Sequence, residues 1–323
     1  MPEIQTARGP VETGTLGRVL MHEHLVMLNP EIEANYPGRV KPWDEEAKVT
    51  DAALTMNELK AGGIDTLVDL TVIPMGRDVN RIRRIAEQTE LNIIVATGIY
   101  TLTELPPPLA QLGMGRQPDP LIDLFVSDIE NGTATSGVRS AVIKCATDAA
   151  GLTPDCERVL RACAKAHRRT GVPISTHTHA ASRSGVDQQR IFADEGVDLT
   201  RVIIGHCGDT TDIDYLEQLL AAGSYLGMDR FGLDFVCSFE DRVRTVAMLC
   251  ERGYAERMVL SHDKSFHNDW ASDELLAKLP NRNYLHITND VLPALREHGV
   301  NDSQIEQMLV ENPRRIFERQ TAY

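Results

Sequence analysis

The feature that most constrains the fold is an alternation of short apolar runs with amphipathic stretches along almost the whole chain. The apolar runs are rich in Val, Ile and Leu and alternate little between polar and apolar residues, which is typical of parallel strands buried on both faces. Eight of these runs are predicted as strands, at residues 18–22, 65–70, 92–98, 140–144, 172–177, 201–206, 224–229 and 257–262.

The segments between these runs have helical patterns with recognisable ends. The helix predicted at 50–61 ends at Gly62 and Gly63. The helix predicted at 155–169 begins with Thr153 as a capping residue and Pro154 as a first-turn proline. Further helices are predicted at 80–89, 120–130, 155–169, 185–195, 212–222, 238–252 and 269–279. The alternation predicts one (β/α)8 TIM barrel domain over residues 1–323. An open doubly wound sheet is the alternative, but no Gly-x-Gly-x-x-Gly turn follows the first strand.

Three segments extend beyond a minimal barrel. Residues 100–117 contain three consecutive prolines and are expected to form a long ordered loop. Residues 264–285 follow the eighth strand, and we expect a lid-like loop with a short helix there, because long loops at this end of a barrel build substrate pockets. The tail at 290–317 is expected to be helical, to stop near Asn312 and Pro313, and to pack on the bottom or side of the barrel.

Composition excludes several classes of partner. Lys and Arg number 33 against 47 Asp and Glu, and the formal charge of −14 argues against binding to nucleic acid or to an anionic membrane. The six cysteines form no Cys-x-x-Cys pair, Glu3 stands where a signal peptide would be basic, and the most apolar stretch, 91–100, is too short to span a bilayer. We therefore expect a reducing, cytoplasmic location.

Histidines and one aspartate stand at the ends of several predicted strands. His22 and His24 end the first strand, where alternate residues share a face, while His177 ends the fifth, His206 ends the sixth and Asp263 follows the eighth. In a barrel these strand ends meet at one mouth. Imidazole and carboxylate are the usual ligands of Zn²⁺ and related ions, so the sequence predicts a metal site there.

Lys144 ends the otherwise apolar fourth strand and would face the same mouth. Such a lysine can extend its amine to solvent or pair with an acid. Alternatively, burial favours the neutral amine, which can add CO₂ to become a carbamate with two oxygen ligands.

With these residues in place, the chain resembles the binuclear amidohydrolase superfamily and, within it, the phosphotriesterase family and its phosphotriesterase-like lactonases. The resemblance covers nearly the whole chain. Its supporting motifs are residues 20–24, 98–100, 227–232 and 312–317.

The resemblance implies two divalent metal ions (Zn, Co, Fe or Mn) and N6-carboxylysine at Lys144. His22, His24 and Asp263 would hold the more buried ion and His177 and His206 the more exposed one. Carboxylated Lys144 and a hydroxide would bridge the two ions. The catalytic residues would be Asp263, as general acid and base, with Tyr100 and Lys144. The residues in contact with the substrate would be Tyr100, Arg230, Phe266 and Trp270.

Each of the substrate-contact residues also has an ordinary structural interpretation. Tyr100 could be a wall residue, Arg230 could form a salt bridge with a neighbouring carboxylate such as Asp229, and Phe266 and Trp270 could serve ordinary loop packing. His179 is expected either to support the ligands from behind or to lie in a loop, and His262 has the wrong strand parity for a ligand.

The activity implied by the resemblance is opening of lactone rings by a metal-bridging hydroxide. Its substrates would be N-acyl-homoserine lactones, as in quorum quenching, and other γ- and δ-lactones, with weak hydrolysis of organophosphate triesters. A homodimer is implied as well. The alternatives are a primary phosphotriesterase, an amidohydrolase acting on cyclic amides or carbamates, and a barrel that binds metal without catalysis.

Overall fold

The computed structural model describes residues 2–38, 41–133, 135–319 and 321–323. The strands in these ranges are β1 (Glu3–Thr6), β2 (Gly9–Glu12), β3 (Val19–Met27), β4 (Thr66–Asp69), β5 (Asn92–Gly98), β6 (Val142–Ala146), β7 (Ile174–His177), β8 (Val202–Ile204), β9 (Tyr225–Met228), β10 (Met258–Leu260) and β11 (Ser265–Asn268). β1 and β2 form an antiparallel hairpin, and the other strands form one parallel sheet.

Helices connect the strands of the sheet. The α-helices of the same ranges are α1 (Pro30–Asn35), α2 (Glu45–Ala61), α3 (Val79–Ala86), α4 (Pro107–Leu112), α5 (Pro120–Glu130), α6 (Pro154–Thr170), α7 (Ser184–Asp194), α8 (Ile213–Ala221), α9 (Phe239–Glu251), α10 (Asp273–Ala277), α11 (Leu292–Glu297), α12 (Asp302–Glu306) and α13 (Asn312–Glu318). π-Helical turns at Ile287–Val291 and Gln307–Glu311 lead into α11 and α13. Within the described part of the chain, no helix combines the length and apolarity that crossing a membrane requires.

The parallel sheet closes on itself. Its strand order runs from β10 through β9, β8, β7, β6, β5, β4 and β3 to β11. β10 and β11 are consecutive segments of one stretch, so the two ends of this order meet. Asp263 N–H donates to His22 O at 2.9 Å, and His24 N–H donates to Lys264 O at 2.8 Å, which joins the break between the segments to β3. The predicted (β/α)8 barrel is therefore confirmed, with its eighth strand in two pieces.

Two apolar layers explain why the strands carry so little polar alternation. Leu20 and Ile93 face outward into the layer between the sheet and the helices. Val19 and Ile94 face the barrel interior. Because both faces of each strand are buried, both must be apolar. The interior layer also contains Phe317 of α13, so the C-terminal tail packs on the bottom of the barrel.

The structure departs from the sequence prediction in its connections. The segment 100–117 contains α4 and is not all loop, the helix predicted at 269–279 is only Asp273–Ala277, and the tail does not stop at Asn312 and Pro313. Proline is tolerated in the first turn of α13, because that position needs no backbone N–H. The Asn312 side chain donates to the backbone oxygens of Ala255 (2.8 Å) and Met258 (2.7 Å), which ties α13 to the eighth strand.

Gly98 is a point where strand packing requires glycine. Its φ is +129°, and a Cβ there would lie 1.9 Å from the carbonyl oxygen of Lys144, its register partner on β6. We expect Gly98→Ala to lower the free energy of unfolding by about 3 kcal/mol or more, because backbone strain and overpacking add. Urea unfolding followed by circular dichroism measures this loss.

Gly9 provides the matched control, because its φ is +113° but nothing lies within 4 Å of a Cβ built there. Gly9→Ala should lose only the strain of about 1–2 kcal/mol. Equal losses in the two variants would contradict the close approach at Gly98.

Candidate metal centre and its cavity

The six predicted metal ligands converge on one cavity at the C-terminal ends of the barrel strands. The cavity has a volume of about 190 Å³. Its walls also carry Tyr100, Arg230 and Trp270, together with residues that the sequence reading did not single out: Met27, Met75, Leu233, Asn268 and Arg282. All ten histidines lie in the described ranges, and four of them, His22, His24, His177 and His206, line this cavity.

Unusual backbone conformations aim three side chains at the cavity. His206 (φ +61°), Arg230 (φ +64°) and Asp263 (φ +55°) lie in the left-handed region, directly after or near the ends of β8, β9 and β10. Non-glycine residues rarely adopt this conformation, and those that do cluster at functional sites. Here the turn takes each side chain out of the strand's regular alternation.

His22, His24 and Asp263 form the first group of donor atoms. Each offers one atom, and these atoms all lie within 4.8 Å of one another. His24 Nε2 lies 3.1 Å from Asp263 Oδ1, and His22 Nε2 lies 3.7 Å from the same oxygen. Lys144 Nζ lies 2.7 Å from His22 Nε2, so the lysine borders this group directly.

His177 and His206 form a second group beside the first. His206 Nε2 lies 2.8 Å from His177 Nδ1 and 3.9 Å from Asp263 Oδ2. The rings of His177 and His206 are perpendicular, with centroids 4.4 Å apart. The structure thus brings together all six predicted ligands in two adjoining groups.

In His22, His177 and His206, the ring nitrogen that points away from the cavity donates a hydrogen bond to a carboxylate. Asp229 accepts from Nδ1 of His22 (2.9 Å) and Nδ1 of His206 (2.8 Å). His177 Nε2 donates to Asp148 at 2.9 Å. Such hydrogen bonds fix the tautomer and turn the other nitrogen toward the cavity. Asp229 also satisfies the distances of a ligand group with His22 and His206, but its oxygens already contact their Nδ1 atoms, so it supports the rings instead.

The nitrogens of His177 and His206 that face each other therefore both carry lone pairs. With Nδ1–H of His206 given to Asp229 and Nε2–H of His177 given to Asp148, two lone pairs meet at 2.8 Å. His24 Nδ1 lies 2.9 Å from the Thr71 hydroxyl, and its Nε2 faces the Asp263 carboxylate at 3.1 Å. Acceptors at these distances repel one another unless a cation lies among them. The donor set fits divalent metal ions.

Burial sets the protonation states in the same direction. Desolvation lowers the pKa of His22, lowers that of His206 well below its usual value, and lowers that of His177 to about 4. It also lowers the pKa of Lys144 to about 8. Burial alone would raise the pKa of Asp263, but the hydrogen bond with His24 and the positive charge of Arg230 hold it well below normal. Neutral imidazole and ionised carboxylate are the forms that bind metal.

Arg230 forms salt bridges with neighbouring carboxylates, as considered above, but its partners are Asp263 and Asp209 and not Asp229. Its Nε donates to Asp263 Oδ2 at 3.0 Å, and its Nη1 donates to Asp209 Oδ2 at 2.8 Å. Asp209 is held in turn by the fully buried Arg242 at 2.7 Å. Arg230 is thereby fixed in the cavity wall beside the proposed catalytic carboxylate.

Tyr100 and Trp270 form an aromatic wall. The Tyr100 ring meets His177 edge to face, with centroids 5.2 Å apart, and lies 6.1 Å from the ring of Trp270. Burial raises the pKa of the Tyr100 hydroxyl, with the Asp263 charge adding to this, so the hydroxyl stays a hydrogen-bond donor. Trp270 is half exposed at the rim.

Phe266 does not line the cavity, so the structure does not bring it together with the other residues predicted to contact the substrate. Residues 265–268 pair with β3 as strand β11. This pairing packs Phe266 against the main apolar core, where it lines a neighbouring groove with Trp43 and Leu276. Outside the cavity as well, His179 bonds Ser182 within its own loop.

Comparison with known proteins adds independent findings. A sequence model of the phosphotriesterase family matches residues 2–317. A "phosphotriesterase homology protein" of Mycobacterium tuberculosis is 58% identical over 328 residues, covering all of both chains. An "aryldialkylphosphatase" of Saccharolobus solfataricus is 34% identical over 310 residues, covering 95% of this chain and 96% of that one. The solved structure of the phosphotriesterase from Mycobacterium tuberculosis superposes with a TM-score of 0.97, at 58% identity and full coverage of both chains.

Proposed function

The chain belongs to the phosphotriesterase family of hydrolases, and from this membership we propose that it is a metal-dependent lactonase. Its substrates would be N-acyl-homoserine lactones and other γ- and δ-lactones, with weak hydrolysis of organophosphate triesters. The observation that carries the metal dependence is the pair of facing lone pairs on His206 Nε2 and His177 Nδ1, 2.8 Å apart. The apolar rim of Leu233 and Trp270 supports an acyl substrate.

The metal ions are assigned to the two groups of donor atoms. His22, His24 and Asp263 would hold one ion, and His177 and His206 the other. Zn, Co, Fe and Mn all suit such ligands. When bound, the ions supply an activated water and polarise the scissile carbonyl.

Lys144 is assigned to the position between the two groups as N6-carboxylysine. Its amine is almost fully buried, and its pKa of about 8 keeps a fraction of it neutral at physiological pH. A neutral amine adds CO₂ and releases one proton to give a carbamate. The added carboxylate would present two oxygens where the chain itself offers a single nitrogen.

Asp263 and Tyr100 are assigned to the reaction itself. The Asp263 carboxylate, oriented by Arg230 and His24, would accept a proton from the attacking water and return it to the leaving alkoxide. In a lactone that alkoxide stays tethered to the acyl group. The Tyr100 hydroxyl would orient the ring, and Arg230 and Trp270 would shape the acyl channel.

The second candidate is a primary phosphotriesterase, which the relative named aryldialkylphosphatase favours. A panel of lactones, paraoxon and dihydropyrimidinones, assayed on protein of known metal content, decides between the two. We expect about two divalent ions per chain and a higher kcat/KM on lactones. A far higher value on paraoxon would contradict lactonase as the primary activity, and turnover of dihydropyrimidinones alone would indicate a cyclic amidase. Fewer than two ions without hydrolysis would indicate a non-catalytic barrel. The homodimer, the cytoplasmic location and a lid role for residues 264–285 stay predictions.

Asp229 offers a test of the paired metal groups. Asp229→Asn places an amide N–H₂ against one of the two Nδ1–H donors, so the rings of His22 and His206 cannot both stay oriented. We expect both ions to bind about 10- to 100-fold more weakly. Competition against a chelator, with metal measured after dialysis, gives the affinities.

Asp148→Asn is the matched variant, because Asp148 holds only His177. This change should weaken one ion and spare the other. Loss of both ions in the two variants alike would count against two separate groups.

A further inference from the structure

Glu23 lies between the two histidines of the first barrel strand, and its carboxylate is fully buried. Oε1 accepts hydrogen bonds from Ser261 Oγ (2.9 Å), His262 N (2.7 Å) and His262 Nδ1 (2.7 Å). Oε2 accepts from the backbone N–H of Lys264 at 2.7 Å. One side chain of β3 therefore receives four hydrogen bonds from the break between β10 and β11.

These four donors flank Asp263 on both sides. Asp263 has a φ of +55°, a conformation that costs a non-glycine residue about 1–2 kcal/mol and persists only where neighbours hold it. Glu23 holds the residue before Asp263 and the residue after it. The position of the Asp263 carboxylate relative to the first barrel strand thus depends on Glu23.

His262 carries this connection to a second place. Because Nδ1–H donates to Glu23, Nε2 is an acceptor, and it receives the backbone N–H of Ile287 at 3.0 Å. Ile287 begins the helical turn that follows residues 264–286, which we call the rim segment. Lys264, the first residue of the rim segment, is hydrogen-bonded to Glu23, and Ile287, which follows the last residue of the segment, is hydrogen-bonded to His262. This segment carries Trp270 and Arg282 into the cavity.

We propose that Glu23 and His262 are positioning residues, of which Glu23 sets the place of Asp263 and His262 sets the far end of the rim segment. Neither side chain lines the cavity, so neither touches the substrate. Every polar atom of the pair is bonded, and such a network fixes one arrangement of the groups that it joins. The proposal rests on the proposed function only in that Asp263 serves metal binding and proton transfer.

The first test is Glu23→Gln in the whole protein. In this variant an amide N–H₂ replaces one of the two carboxylate oxygens that accept hydrogen bonds. It would face either the N–H of Lys264 or the two N–H donors of His262, so donor would meet donor. We expect kcat and the retention of metal against a chelator to fall about 10- to 100-fold, with KM changed less than about twofold. Asp128→Asn is the control, because it removes a charge from another partly buried network, with Arg77 and Thr97, away from the cavity. The control should lower the free energy of unfolding and leave kcat and metal retention unchanged.

Two substitutions of His262 separate its two bonds. Asn places its amide near the position of Nδ1 and keeps the bond to Glu23, while Gln reaches the position of Nε2 and keeps the bond to Ile287. His262→Gln should therefore lower kcat and metal retention about 10-fold or more at a similar KM. His262→Asn should instead raise KM by a similar factor at a similar kcat, because only the rim segment is released.

The outcomes are distinguishable from those for the proposed function. Kinetics use whichever substrate of the panel is turned over fastest, and metal retention is measured without substrate, so failure of lactone hydrolysis does not affect the test. If Glu23→Gln behaves like Asp128→Asn, or if both His262 variants change kcat and KM alike, the positioning role is overturned. Should Glu23→Gln not fold, the contrast between the two His262 variants decides.

Discussion

Alanine in place of Lys144 is expected to leave a folded barrel with less than about a hundredth of the wild-type kcat/KM. Lys144 Nζ lies 2.7 Å from His22 Nε2 in the cavity, and no other amine of the described chain lines it. Without the lysine, the two donor groups would lose the shared ligand that we propose for them. The bound metal should therefore also fall below two ions per chain, as elemental analysis after dialysis would show.

Rescue distinguishes a lost ligand from a damaged core. Short carboxylic acids such as acetate or propionate should restore part of the activity of Lys144→Ala, because they return two oxygens to the space left by the side chain. Matched chloride salts should restore none. Lys144→Met fills the volume without an amine and should be as inactive as the alanine variant while resisting rescue. Full activity in Lys144→Ala would refute the bridging role.

Asparagine in place of Asp263 is expected to lower kcat/KM about 10³-fold. The amide keeps the shape of the side chain but cannot carry a proton between water and the leaving group, and it is a poorer metal ligand. The ion pair with Arg230, now 3.0 Å long, is lost as well. Measurement of kcat/KM on lactones and on paraoxon, with unfolding curves as the control for folding, checks this result.

The dependence on the leaving group separates the roles of Asp263. If Asp263 protonates the leaving alkoxide, the loss should be larger for lactones, whose alkoxide is a poor leaving group, than for paraoxon, whose nitrophenolate needs no proton. Equal losses on both substrates would assign Asp263 to metal binding alone.

The barrel was predictable because its physics is local and repeated. A strand buried on both faces must be apolar throughout, as Val19, Leu20, Ile93 and Ile94 show. The split eighth strand was not predictable, because the polar break after β10 resembles a strand end. The N-terminal hairpin was missed as well, since its strands have only four residues each and one contains Pro10. The stop expected at Pro313 depended on a local rule that the bonds of Asn312 override.

The candidate site was predictable where strand ends alone decide position. His177 ends β7 as predicted, and His206 follows β8 by two residues. His22, His24 and Lys144 line the same cavity from inside β3 and β6, which continue past their predicted ends. The supporting carboxylates Asp229 and Asp148 were not predictable, because the ring nitrogen that each of them contacts depends on how separate strand ends pack together. Asp229 ends a predicted strand just as Asp263 follows one. This placement at the barrel mouth could have indicated that Asp229 belongs to the site.

Barrel closure carries a consequence for the order of folding. The residues that close the ring, such as His22 and Ser261, are 239 positions apart in the chain, so their contact has one of the larger loop-closure entropy costs in the fold. His22 and His24 stand on one side of this seam and Asp263 on the other. A complete donor group therefore exists only after the ring has closed. An ion that binds it binds the native chain and not its partly folded forms, and so holds the ring shut by mass action.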